Sequence, residues 1–269
     1  VAGLTRNKLY LQAMLTLPHD MTLSAQLRGD RNKYDAELGR TGWNTDGTSL
    51  QGDWQPSDTT VASAWYGYDR ADLDGDGEAK SGRARQLRRA ELVLKGKAPA
   101  GLDWVAGYDA KAEKWLDTNL RFNREGNQSR LLGQSKQPNS LEELSSSKSN
   151  DFISKAAITN TSAVGRRLGA TYAYGSGNWG IQASAFSREL TRGNAEGDGF
   201  AVRGMLAPIN EKGRVLHLGL SHARYDARLA GSDAQRWRAR PQADLAGVRL
   251  VDTGTLANAD TVQTIGVEP

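Results

Sequence analysis

The sequence predicts an all-β fold: an antiparallel outer-membrane β-barrel of amphipathic strands, in truncated or composite form. Three observations predict it. Apolar and polar residues alternate with period two. Tight turns alternate along the chain with longer polar loops. No stretch approaches the ~18 consecutive apolar residues of a membrane-spanning helix, so the helical class of membrane protein is excluded.

The alternation begins at once. Leu9, Leu11, Ala13, Leu15 and Leu17 share one face of an extended segment, and Tyr10, Gln12, Met14 and Thr16 share the other. The turn Pro18-His19-Asp20 leads to a second strand from Met21 to about Arg31. A second hairpin is expected from Ser49–Trp54 and Thr60–Asp69 across Gln55-Pro56-Ser57-Asp58. Ala90, Leu92 and Leu94 then oppose Glu91, Val93 and Lys95. Past Ala98-Pro99-Ala100-Gly101 come Leu102–Ala110, Trp115–Asn123 and Gln128–Ser135. Leu168–Tyr174 with Trp179–Ser187, and Phe200–Ala207 with Arg214–Tyr225, read as two further hairpins. Val262–Val267 closes the series. Roughly a dozen strands result, most about 8–12 residues long, the length that crosses a bilayer at a tilt. The expected long loops are Asn32–Thr48, Ala71–Gly82, Lys136–Thr161, Thr191–Gly199 and Ala227–Asp260.

Composition agrees with a half-wet sheet. Apolar residues make up 38% of the chain, which is enough when one face of every strand meets water. Seven Trp and eight Tyr against four Phe suit belts at a membrane interface, where each ring is dry at one end and wet at the other. The absence of cysteine removes disulfides, Cys-zinc sites and thiol nucleophiles. Three histidines leave little for a His metal site, so no metal and no cofactor is expected. Val1–Lys8 lacks the apolar core of a signal peptide, which places the start at a mature terminus or inside a longer protein. The ending Val267-Glu268-Pro269 lacks the aromatic residue on which bacterial barrels close, which predicts a truncated barrel.

No catalytic constellation is present: there is no Gly-x-Ser-x-Gly, no His-Glu-x-x-His and no phosphate loop, and no enzyme is expected. Asp72-Leu73-Asp74-Gly75-Asp76-Gly77 matches the first half of a calcium loop, but its twelfth position is Arg83, so a polar hairpin tip is expected. A net charge of +4 points mildly to anions and gives no case for nucleic acid. The basic residues are more informative. Arg83, Arg85, Arg88 and Arg89 cluster, Arg166 and Arg167 adjoin, and Arg236, Arg238 and Arg240 recur with period two. An extended backbone would aim that last row one way, as a ladder of bidentate oxyanion donors. The alternative is a solvated loop with its cations balanced by nearby Asp and Glu.

From about Arg83 to Pro269 the chain resembles the phosphate-selective porins O and P. The resemblance rests on Arg88-Arg89-Ala90-Glu91-Leu92, on Gly133-Gln134-Ser135-Lys136-Gln137-Pro138-Asn139-Ser140-Leu141-Glu142-Glu143-Leu144, and on Arg166-Arg167-Leu168-Gly169. Leu206-Ala207-Pro208, Leu216-His217-Leu218-Gly219-Leu220 and Arg238-Ala239-Arg240-Pro241 follow in the same order. It implies a trimeric barrel of the bacterial outer membrane, set in the lipid bilayer, that passes phosphate or related anions by passive diffusion. An arginine ladder would lead to a constriction on an inward-folded third loop. By local motif, Arg88, Arg89, Arg238 and Arg240 would be ladder residues, Lys148 and Lys155 would stand near the constriction, and Asp117 would be their acidic partner. Gln242, Ala246 and Lys155 stand where the pattern suggests arginine, which makes an anion preference firmer than a phosphate preference.

Residues 1–77, through Asn7–Asp20, Gln55–Asp58 and Trp65-Tyr66-Gly67-Tyr68-Asp69-Arg70, resemble instead the decahaem-associated outer-membrane barrels. The expected organisation is therefore hairpins over 1–77 and a porin-like segment over 83–269 with its long loop at 136–161. Two other readings accompany the porin: a barrel sheath for an electron-transfer cytochrome, and a soluble, non-conducting β protein.

Overall fold

The computed structural model describes residues 3–35, 39–76, 82–124, 127–145, 156–191, 195–229, 232–239 and 251–268. Among these residues, thirteen antiparallel strands follow one another in a single sheet order, with no crossover. They are β1 (Leu4–Leu17), β2 (Met21–Tyr34), β3 (Gly39–Ser57), β4 (Thr60–Asp76), β5 (Gly82–Ala98), β6 (Leu102–Asp109), β7 (Lys114–Arg124), β8 (Gln128–Lys136), β9 (Arg166–Ser176), β10 (Trp179–Phe186), β11 (Gly199–Glu211), β12 (Arg214–Asp226) and, last in order, β18 (Thr261–Glu268). The segment before β18 carries short ladders of β13 (Arg228–Leu229), β14 (Ser232–Gln235) and β17 (Leu256–Ala257), and of β15 (Arg238–Ala239) and β16 (Val251–Asp252). Among the described residues, two short helices, α1 (Leu141–Leu144) and α2 (Ala157–Ser162), lie between β8 and β9. No helix among the described residues is long and apolar enough to cross a membrane.

The chain forms two compact units, one of residues 1–96 and 107–114, the other of 97–106 and 115–269. In the first, register carries the alternation from strand to strand. Leu11 pairs Leu27, Ala25 pairs Leu50, Leu50 pairs Tyr66, and Ala64 pairs Leu92, so one apolar face runs across β1 to β5. Gln12 pairs Gln26, Gln26 pairs Ser49 and Asp53 pairs Ser63 on the polar face. Trp54 lies beside the β3–β4 turn, and Tyr66 and Tyr68 lie farther along the apolar face.

Strands in this unit are longer than the sequence suggests. The expected loops Asn32–Thr48 and Ala71–Gly82 are largely strand, because β2 runs to Tyr34, β3 starts at Gly39, β4 reaches Asp76 and β5 starts at Gly82. Cross-strand ion pairs replace apolar alternation there: Arg6 with Asp30, Arg31 with Asp46 at 2.7 Å, and Arg83 with Asp72 at 2.8 Å. Asp72, the first residue of the calcium-like run, also pairs with Arg70 at 2.9 Å.

In the second unit the apolar face carries Tyr172, Ile181, Val202, Leu206, Leu218, Leu220, Ile265 and Val267, all exposed. Tyr174 and Trp179 meet edge to face at 5.4 Å beside the β9–β10 turn. Phe200 meets His222 at 5.6 Å toward the other end of its strand. Those two aromatic levels are about six residues apart, roughly 20 Å along a strand, close to the height of an outer-membrane apolar band. The opposite face carries Thr171, Gln182, Ser184, Arg203, Ser221 and Thr264. β11 outlasts its expected end at Ala207: a bulge between Leu206 and Ile209 takes Pro208, which has no N–H for the ladder, and pairing resumes to Glu211. Toward the long-loop end, Phe186, Ala201, Ala223, Tyr225 and Val262 bury with Val164 into a small core that Trp237 and Ala259 flank.

Candidate functional site

The segment after β8 does not run out as a free loop. It turns back across the polar face of β9–β12 and β18. Gln137, almost fully buried, donates to Ser135 O at 2.9 Å and to Arg167 O at 3.3 Å, and accepts from Ser184 Oγ at 2.5 Å. Ser184 Oγ in turn accepts from Thr171 Oγ1 at 3.1 Å. Ser221 donates to Asn139 O at 2.5 Å, and Asn139 Nδ2 donates to Thr264 Oγ1 at 3.3 Å. Ser140 caps α1 by accepting from Glu143 N at 3.1 Å, and the Leu141 N–H donates to Glu268 Oε1 at 2.8 Å. Lys136 Nζ donates to the carbonyls of Glu143 and Ser145, closing the far end of the turn. Glu142 accepts from Ala156 N at 2.8 Å and from Thr159 Oγ1, tying α2 to α1.

Beneath this segment lies a cavity of about 440 Å³. Arg121 and Lys136 supply cations, Asp103 and Asp117 supply carboxylates, and Asn119, Ser129, Ser135, Thr171 and Gln182 supply neutral polar groups. Arg166, the first residue of β9, donates to Asp117 through Nε at 3.2 Å and Nη2 at 3.0 Å. Farther along the face, Arg203 Nη2 meets Glu268 Oε2 at 2.6 Å and His217 Nε2 at 3.3 Å. A mixed array of this kind can strip part of the water from a small oxyanion and return hydrogen bonds to it.

Of the residues singled out in the sequence, Asp117 lines this cavity. Arg89 lies in the other unit, its guanidinium 5.8 Å from the Trp65 ring centroid and its Nε 3.8 Å from Glu91. Arg88 is on β5, and its side chain lies outside the described residues, as do Lys148, Lys155 and Arg240 entirely. Arg238 stands opposite Asp252 in the β15–β16 ladder. Its neighbour Arg236 makes two bonds to the same carboxylate, at 2.8 and 2.6 Å. With a further bond from Gly254 N–H, Arg236 holds the Asp252 carboxyl at about 2. Among the described residues, no three His, Cys, Asp or Glu side chains gather closely enough to hold a metal ion.

Sequence reasoning missed Arg121, Arg203 and Glu268. A signal existed for Arg203: it is the one charged residue in the run Phe200–Ile209. Glu268 had none, since its role depends on Leu141, distant in sequence.

The family of phosphate-selective porins O and P matches residues 60–269. The chain belongs to that family. It is a family of the bacterial outer membrane, and the match reaches further toward the start than the motifs from Arg83 onward. The chain is also 28% identical over 192 residues to an uncharacterized protein of Caulobacter vibrioides, which covers 65% of this chain and 38% of that protein. The chain thus spans well under two thirds of that relative's length. No solved structure matches.

Proposed function

We propose that this porin passes phosphate or related anions by passive diffusion, with arginine and lysine side chains facing the lumen. The observation that carries the reading is the cavity under the folded-back segment, where Arg121, Lys136 and Asp117, itself held by Arg166, stand among hydroxyls and amides. Guanidinium groups offer paired donors that match two oxyanion oxygens, and replace part of the ion's hydration. The carboxylates at Asp103 and Asp117 keep the site from holding an anion too tightly, and weak, successive sites let it move on. Arg88, Arg89, Lys148, Lys155, Arg238 and Arg240 belong to the same proposal as further steps of the path, and a homotrimer as its assembly.

Reversal potentials across planar bilayers test it. A gradient of potassium chloride, then of potassium phosphate, is expected to give anion-selective channels, and phosphate is expected to reduce chloride current by occupying the site. Cation-selective channels, or none, would overturn the reading. Native mass spectrometry in detergent reads the oligomer.

A further inference from the structure

We infer that Glu268 is a latch: from the last strand of the sheet it holds the Gln137–Leu144 segment across the polar face and thereby sets the open width of the pore proposed above. This rests on the porin reading for its consequence, and on geometry alone for the latch.

Both oxygens of the carboxylate are committed. Oε1 accepts from the backbone N–H of Leu141, at 2.8 Å, and Oε2 accepts from Arg203 Nη2, at 2.6 Å. Arg203 Nε lies 3.4 Å from Oε1, so one guanidinium braces both oxygens. The Arg203 side chain is 6% exposed and that of Glu268 16%, which limits the competition of water for the bond between them. The other anchors of the segment to these strands, Ser184 to Gln137 and Ser221 and Thr264 to Asn139, are neutral. Among the described residues Glu268 is the ionised anchor on these strands, as Lys136 is on β8, and charge-assisted bonds are roughly twice as strong as neutral ones.

The chemistry requires a carboxylate. Arg203 and Leu141 N–H are both donors, and a glutamine would turn its own NH₂ against one of them. Leu141 is also the first helical residue after the cap Ser140, whose backbone is extended at φ −157° and ψ 159°. Proline is tolerated at that helical position, and the residue before a proline favours an extended backbone. Leu141→Pro therefore removes the N–H that Glu268 accepts while leaving the strands and the Arg203–Glu268 pair untouched.

Hydrogen exchange read by mass spectrometry, on the protein in detergent, tests the latch directly. In Glu268→Gln and in Leu141→Pro, peptides over 137–144 are expected to exchange about tenfold faster, with peptides of β9 to β12 unchanged. Single-channel recording of both variants is expected to show larger or fluctuating conductance. Unchanged exchange over 137–144 in Leu141→Pro overturns the latch, even if Glu268→Gln assembles poorly. Faster exchange with the conductance unaltered overturns its control of pore width. Absence of channels in the unaltered protein counts against the porin reading alone, since exchange still reports on the latch.

Discussion

Arg166 holds Asp117 through two parallel bonds, Nε to one carboxylate oxygen and Nη2 to the other, at 3.2 and 3.0 Å. The pair joins the start of β9 to β7, and its carboxylate lines the cavity under the folded-back segment. An anion entering that cavity meets a carboxylate whose charge Arg166 partly offsets. Asp117 therefore sets how much positive charge the site offers.

Asp117→Asn is expected to raise the anion-to-cation permeability ratio by about two- to threefold, because Arg166 loses its counter-charge and keeps its position. Reversal potentials measure it. A ratio that is unchanged or lower would remove Asp117 from the selectivity of the site.

Gln134 is fully buried, and its amide serves three backbone groups: it donates to Trp115 O and Leu116 O, and accepts from Leu190 N. Gln134→Leu removes the side-chain bond from all three. The expected loss of stability is about 2–4 kcal/mol, read as a lower urea midpoint of the protein folded in detergent. A midpoint at the wild-type value would mean that water or other groups take over these bonds.

Ser221→Ala removes the hydroxyl that binds the Asn139 carbonyl in a site 2% exposed. Losing one neutral bond costs about 1 kcal/mol, so the segment should loosen by less than in Glu268→Gln. Hydrogen exchange over 137–144 ranks the two variants, and a larger effect of Ser221→Ala would contradict the ranking.

The Arg236–Asp252 contact predicts an acid limit for the segment between β12 and β18. The Asp252 carboxyl lies at about 2, below its ordinary 3.8, chiefly through the side-chain bonds of Arg236. A depressed carboxyl contributes stability that is complete above its unfolded value and is lost as pH falls through its folded value. Protection of this segment from pepsin should thus persist at pH 4 and fade toward pH 2. Carboxyl carbon shifts followed by NMR give the titration itself, and an Asp252 midpoint near 4 would refute the prediction.

Much of the fold was legible in the residues. Alternation at Leu9–Leu17, Ala90–Leu94 and Leu216–Leu220 identifies the strands, because a period of two separates a dry face from a wet one. Turn residues at Pro18–Asp20, Pro99–Gly101 and Gly175–Asn178 identify the hairpins. Past the apolar band the signal fails. Polar hairpins such as Asn32–Thr48 hold through backbone pairing and cross-strand charges, which leave no hydrophobic period to read.

By itself, then, the sequence determined the strand pattern, the two unlike faces and, by its motifs, the porin family. Those depend on neighbours within a few residues or on runs that stand intact in the chain. Only the tertiary structure decided that Gln137–Leu144 folds back, that Arg166 takes Asp117, and that Glu268 holds Leu141 across 127 positions. Register between strands distant in sequence brings those groups together, and no local pattern encodes a distance of that kind.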